Sequence, residues 1–187
     1  MSEQGFVFSD PAPYPPVQVC GPSVRWAEMM LQNVGACHSE MSAVSLYFYN
    51  GVITEGRQEE ISRCFHRISV VEMRHLEIFA RLTFLLGADP RLWSGPPRRM
   101  AYWSPSCNSY PRDPAPMLQN AIHAEMDTIS RYRQQSSCIA DPNIKALLDR
   151  IILDERLHVD IFQTLLRQLK PADSPLFRQE GIPKSSI

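Results

Sequence analysis

The chain repeats itself. RISVVEMRHLEIF (67–79) aligns without gaps with RIILDERLHVDIF (150–162), and Arg, Ile, Glu, His, Ile and Phe coincide at six positions. Upstream, HSEMSAVSLY (38–47) aligns with HAEMDTISRY (123–132), sharing His, Glu, Met, Ser and Tyr. The two offsets, 83 and 85 residues, are nearly constant. Two similar helix–helix units predict an all-α bundle with approximate two-fold symmetry.

Helix signals divide the chain accordingly. Residues 1–22 are Pro-rich and read as an extended arm. A helical pattern follows from Ser23, a plausible N-cap, to Asn50, with Gly51 as its stop. A second runs from about Arg57 to Leu86. Residues 87–112 carry prolines, arginines, tryptophan and tyrosine without a period and read as a crossover. Asp113-Pro114 opens a third helix to about Gln135, and Asp141-Pro142 opens a fourth to about Leu169. The expected bundle spans 23–170, followed by a Pro/Ser-rich tail, 171–187. Short connections make antiparallel neighbours, and the long one lets the chain cross the bundle's length.

Composition excludes several classes. The 187 residues suffice for a sizeable core, with 44 % apolar and 21 % charged. A formal net charge of −1 invites neither nucleic acid nor an anionic membrane. No apolar run approaches the roughly 18–20 residues that span a bilayer. The N-terminus is acidic and polar without a signal-peptide pattern, so the expected location is cytoplasmic. The five cysteines, Cys20, Cys37, Cys64, Cys107 and Cys138, are widely spaced and lack a C-x-x-C. They are expected to be reduced, several in the core.

The matched polar residues carry the chemistry. Glu72 and His75 sit in the stripe of Phe65, Ile68, Leu76, Phe79 and Leu82. Glu155 and His158 share a face with Leu148, Ile151, Phe162 and Leu165. Glu125 lies with Leu118, Ile122 and Ile129, and Glu40 with Val34, Cys37, Val44 and Phe48. A step of three residues rises about 4.5 Å and turns back to nearly the same side of a helix, so each Glu-x-x-His points one way. Four inward carboxylates are costly unless paired, and two imidazoles cannot neutralise them. Two divalent cations can, and oxygen and nitrogen donors without sulfur favour iron or manganese. This ligand set is the one described for ferritin-like di-iron and di-manganese bundles.

On these motifs the chain resembles the ferritin-like superfamily, in particular rubrerythrin and bacterioferritin, over residues 24–169. The resemblance implies an antiparallel four-helix bundle with a long crossover between helices 2 and 3. It also implies metal ligation by Glu40, Glu72, His75, Glu125, Glu155 and His158, with Glu72 and Glu155 bridging. Tyr47 and Tyr132 could support ligands or relay an electron; core packing is the simpler account. Departures are informative. The chain has no rubredoxin-like C-x-x-C pairs, and Thr128 stands where rubrerythrins carry an additional glutamate. Met73 occupies the place where bacterioferritins offer methionine to haem, but reads as an ordinary helix residue, so haem is not expected.

Other polar residues have blander readings. His38 and His123 point away from the ligands, toward the surface or between helices. Arg150 could pair with Asp154, although Arg67 and Arg150 read as solvated. Tyr102, Trp103 and Tyr110 read as crossover packing, with a lid as the alternative.

The implied activity is that of a di-metal oxidoreductase using hydrogen peroxide or dioxygen. Rubrerythrin-like peroxide reduction would need an external electron-donor protein. Disproportionation, as in the similarly folded manganese catalases, would not. Ferroxidase or iron-handling activity and a metal-stabilised structural bundle are the alternatives. The expected assembly is a homodimer.

Overall fold

The computed structural model describes residues 5–95 and 99–169; the tail expected at 171–187 lies outside them. Among the described residues are five α-helices: α1 (Val24–Gly35), α2 (Glu40–Thr54), α3 (Glu59–Leu85), α4 (Pro114–Cys138) and α5 (Pro142–Gln168). The architecture is a four-helix bundle in which α1 and α2 together form the first rod. Both pack on α3, and α4 packs on α5. The crossover contains a two-stranded antiparallel ribbon, β1 (Trp93–Ser94) and β2 (Ala101–Tyr102), and a short 3₁₀ turn at Pro105–Cys107.

The break in the first rod corrects the continuous helix expected from Ser23 to Asn50. Crossover contacts account for its location. An added Cβ on Gly35 would lie 2.4 Å from the Trp93 backbone nitrogen, so the ribbon approaches the end of α1 at a position where only glycine fits. Past the break, Ser42 Oγ donates to the Cys37 carbonyl at 2.7 Å and accepts from Trp103 Nε1 at 2.8 Å. Gly51 does not stop α2, which continues to Thr54. Its anticipated apolar phase also shifts: Phe48 is 64 % exposed, while Leu46, Tyr47 and Asn50 are buried.

The cysteine expectation is overturned as well. Cys37 and Cys107 form a disulfide, with Cα atoms 4.8 Å apart. Their 70-residue separation hides a spatial contact made because the crossover passes over the break. Of the three free cysteines, only Cys64 is buried.

The core is split in two. One apolar cluster includes Met30, Phe79, Leu82 and Ile151; the other includes Phe65, Ile68, Met117 and Phe162. Glu72 and His75 lie between Ile68 and Phe79 on α3, and Glu155 and His158 lie between Ile151 and Phe162 on α5. The N-terminal arm packs across both clusters. Phe6 and Phe8 contact one, and Tyr14, Val17 and Val19 contact the other.

The arm is also fastened at the start of α5. Asp141 accepts from the backbone N–H groups of Asn143 and Ile144, capping the helix, and from the Cys20 N–H at 2.6 Å. Asp141→Ala removes all three bonds. The expected loss is about 1–2 kcal/mol, read as a fall in Tm of about 2–8 °C. An unchanged Tm would contradict this role.

Candidate metal centre

The structure brings all six Glu and His residues together and buries them. They fall into two overlapping sets: Glu40, Glu72, His75 and Glu155; and Glu72, Glu125, Glu155 and His158. Within each set, one ligand atom per residue lies within 4.8 Å of the others. Glu72 and Glu155 belong to both. The lone glutamates come from the first and third rods, and the Glu-x-x-His pairs come from α3 and α5.

Both imidazoles turn the same nitrogen inward. His75 Nδ1 lies 3.0 Å from Glu72 and 3.2 Å from Glu155. His158 Nδ1 lies 2.8 Å from Glu72 and 3.2 Å from Glu155. Both outer nitrogens have acceptors: His75 Nε2 meets Asp154 at 3.1 Å, and His158 Nε2 meets the Phe8 carbonyl at 2.9 Å. A carbonyl only accepts, so His158 Nε2 carries the proton. When that ring is neutral, its Nδ1 lone pair faces the carboxylates. Glu72 Oε1 and Glu155 Oε1 are buried without a hydrogen-bond partner, because the nearby Nδ1 atoms are poorly aligned for a bond. Unpaired buried carboxylate oxygens opposite inward imidazole nitrogens suit a divalent cation.

The charges fit the same donor set. Burial raises Glu40 well above the usual carboxylate range, aided by Glu72 and Glu155. Glu125 is raised by the same causes. Burial also pushes Glu72 up, but the two histidines outweigh it and hold it low. Burial and Glu72 push Glu155 up, and the histidines again prevail. Burial lowers His75 and His158, but facing carboxylates raise both well above the ordinary histidine range. These shifts oppose two raised imidazoles to two lowered carboxylates and move Glu40 and Glu125 toward their protonated forms. Replacing four protons by two divalent cations leaves the same net charge.

The tyrosines cross between the halves of the repeat. Tyr47 donates to Glu125 at 2.5 Å, and Tyr132 donates to Glu40. Burial first, and then the facing glutamates, keep both phenols protonated. A cavity of about 320 Å³ reaches Glu40 and Glu125 and is also lined by Thr128, Arg131 and the disulfide. His38 and His123 are exposed on its wall, outside the two Glu/His sets.

Three neighbours escaped the sequence reading or were misread there. Arg150, read as solvated, is only 5 % exposed and pairs with Asp154 at 2.9 Å. Their spacing signals the pair but not its burial. Asp154 also accepts from Ser9 Oγ, the Asp10 N–H and Tyr14. Tyr14 lies in an arm without periodicity, so sequence offered no signal for its contact with His75 at 3.1 Å. Arg67 remains exposed as expected, over the Phe8 ring.

A manganese catalase from Anabaena PCC7120 superposes with a TM-score of 0.76 at 20 % identity, covering 96 % of this chain and 88 % of that one. The chain has the ferritin-like fold. The Rhodobacter capsulatus bacterioferritin gives a TM-score of 0.64 at 22 % identity, covering 79 % of this chain and 86 % of its own. A dodecameric, bacterioferritin-related thioferritin from Bacteroides fragilis gives 0.59 at 19 % identity, covering 78 % and 87 % respectively. No family model and no curated protein matches the sequence. Among the described residues, no helix of this ferritin-like chain is long and apolar enough to cross a membrane.

The charge balance predicts proton-linked loading. His75, His158, Glu40 and Glu125, all raised, must give up protons when cations enter, so affinity rises with pH. Calorimetry in buffers of different ionisation enthalpy should detect release of about two to four protons per two cations near neutrality. A pH-independent affinity would contradict the assignment.

Proposed function

We propose that this protein is a di-metal oxidoreductase that disproportionates hydrogen peroxide, with iron or manganese as its metal and manganese favoured. The observation carrying the reading is the pair of overlapping ligand sets sharing Glu72 and Glu155. Glu40, Glu72, His75 and Glu155 would hold one cation, and Glu72, Glu125, Glu155 and His158 the other. Bound there, two cations supply a two-electron couple and Lewis-acid positions for both peroxide oxygens. The broad likeness to a manganese catalase supports disproportionation over reduction.

The chain's own residues set the conditions. The cavity offers a path from the bundle wall to Glu40 and Glu125. Tyr132 and Tyr47 hold those carboxylates from the opposite half of the repeat. As protonated donors they fix which way each carboxylate turns. Phe65, Phe79 and Phe162 keep the core on either side dry.

The rubrerythrin-like alternative uses the same cluster with an external electron-donor protein. Ferroxidase and iron-handling chemistry is favoured by the likeness to bacterioferritin and thioferritin. A homodimer would not fit a storage shell. The location expected from the polar N-terminus is cytoplasmic; the Cys37–Cys107 disulfide argues for an oxidising compartment instead.

The test supplies peroxide, without reductant, to protein loaded separately with manganese and iron. Disproportionation predicts one dioxygen released per two peroxides consumed. Consumption only with added reductant would replace it by peroxide reduction. Dioxygen-driven iron(II) oxidation without peroxide turnover would favour ferroxidase. Tyr132→Phe should lower activity or metal affinity by about tenfold, and no change would remove that tyrosine from the account.

A further inference from the structure

The repeat is broken where the histidines meet their outer partners. At the 83-residue offset, Asp154 corresponds to Val71. His75 is backed by a buried carboxylate, while His158 is backed by the neutral Phe8 carbonyl. The arm supplies both differences. Its Phe8 carbonyl stands at His158, while Ser9, Asp10 and Tyr14 all donate to Asp154.

We propose that the two cation positions are inequivalent, and that the His75 position fills first and binds more tightly. This rests on the di-metal reading above. A ring N–H held by a carboxylate makes the opposite nitrogen a stronger donor than one held by a carbonyl. Arg150 balances the formal charge of Asp154, but the carboxylate stands between it and the imidazole. Arg150 Nη1 forms an ion pair with one oxygen, Oδ1, at 2.9 Å, and His75 meets the other, Oδ2, at 3.1 Å. His75 thus faces the negative end of the pair. The remaining donors fix that carboxylate from several directions: Ser9 Oγ at 3.0 Å, Asp10 N–H at 2.6 Å, and Tyr14, which also touches His75. Asp154 is therefore a positioning residue, and the arm is part of the structure that distinguishes the positions.

The test titrates manganese(II) into chelator-treated full-length protein, followed by calorimetry and electron paramagnetic resonance. Two sites should separate by at least about tenfold in affinity. At one equivalent, bound manganese should show mainly the six-line spectrum of isolated ions, with magnetically coupled pairs appearing on the second. Equal independent sites would instead place about half the bound manganese in pairs, and that result would overturn the proposal. Asp154→Asn should weaken binding at the His75 position about 10–100-fold and leave the His158 position nearly unchanged, so the gap between the two steps closes or inverts.

His158→Ala should retain a tight step and His75→Ala should not, which keeps the assignment testable even if Asp154→Asn fails to fold. The reverse outcome would assign the tight position to His158 and overturn the proposal. Fewer than two cations bound by the unaltered protein would overturn the di-metal reading itself, whereas two of equal affinity would overturn only the inequivalence.

Discussion

Burial of four carboxylates between two apolar clusters is the constraint on which this molecule turns. Each isolated charge would cost several kcal/mol away from water. The bundle meets the cost by opposing Glu72 and Glu155 with two imidazoles and by shifting Glu40 and Glu125 toward their protonated forms. That arrangement is incompletely bonded, since Glu72 Oε1 and Glu155 Oε1 face imidazole nitrogens without making a hydrogen bond. Cations can replace the protons without changing the net charge. The polar layer follows from the helix phase: Glu-x-x-His lies between Ile68 and Phe79 on α3 and between Ile151 and Phe162 on α5.

The approximate two-fold arrangement extends beyond the six Glu and His residues. Tyr47 and Tyr132 each cross to the glutamate of the other half. The arm has no counterpart in the repeat, and it passes both outer histidine nitrogens. Symmetry in the inner Glu and His residues and asymmetry in their supports thus have separate origins in the chain.

Legibility followed periodicity. Helix caps at Ser23 and Asp141 and the paired Glu-x-x-His motifs could be read because they obey local rules or recur at a fixed offset. The bundle and the convergence of six polar residues followed from those features. What escaped depended on contacts between distant segments. Gly35 stops α1 because Trp93 packs on it; Cys37 finds Cys107; and Tyr14 finds His75 and Asp154. Phe48 faces outward because the break between α1 and α2 resets the phase that a continuous helix would keep. None of these long-range contacts has a local spacing signature.

Anomalous scattering from metal-loaded crystals, collected at the manganese and iron edges, tests the central claim most directly. The account predicts two resolved peaks, both flanked by carboxylate oxygens of Glu72 and Glu155, with His75 beside one and His158 beside the other. A single shared peak, or metal bound only outside this buried layer after full loading, would contradict it.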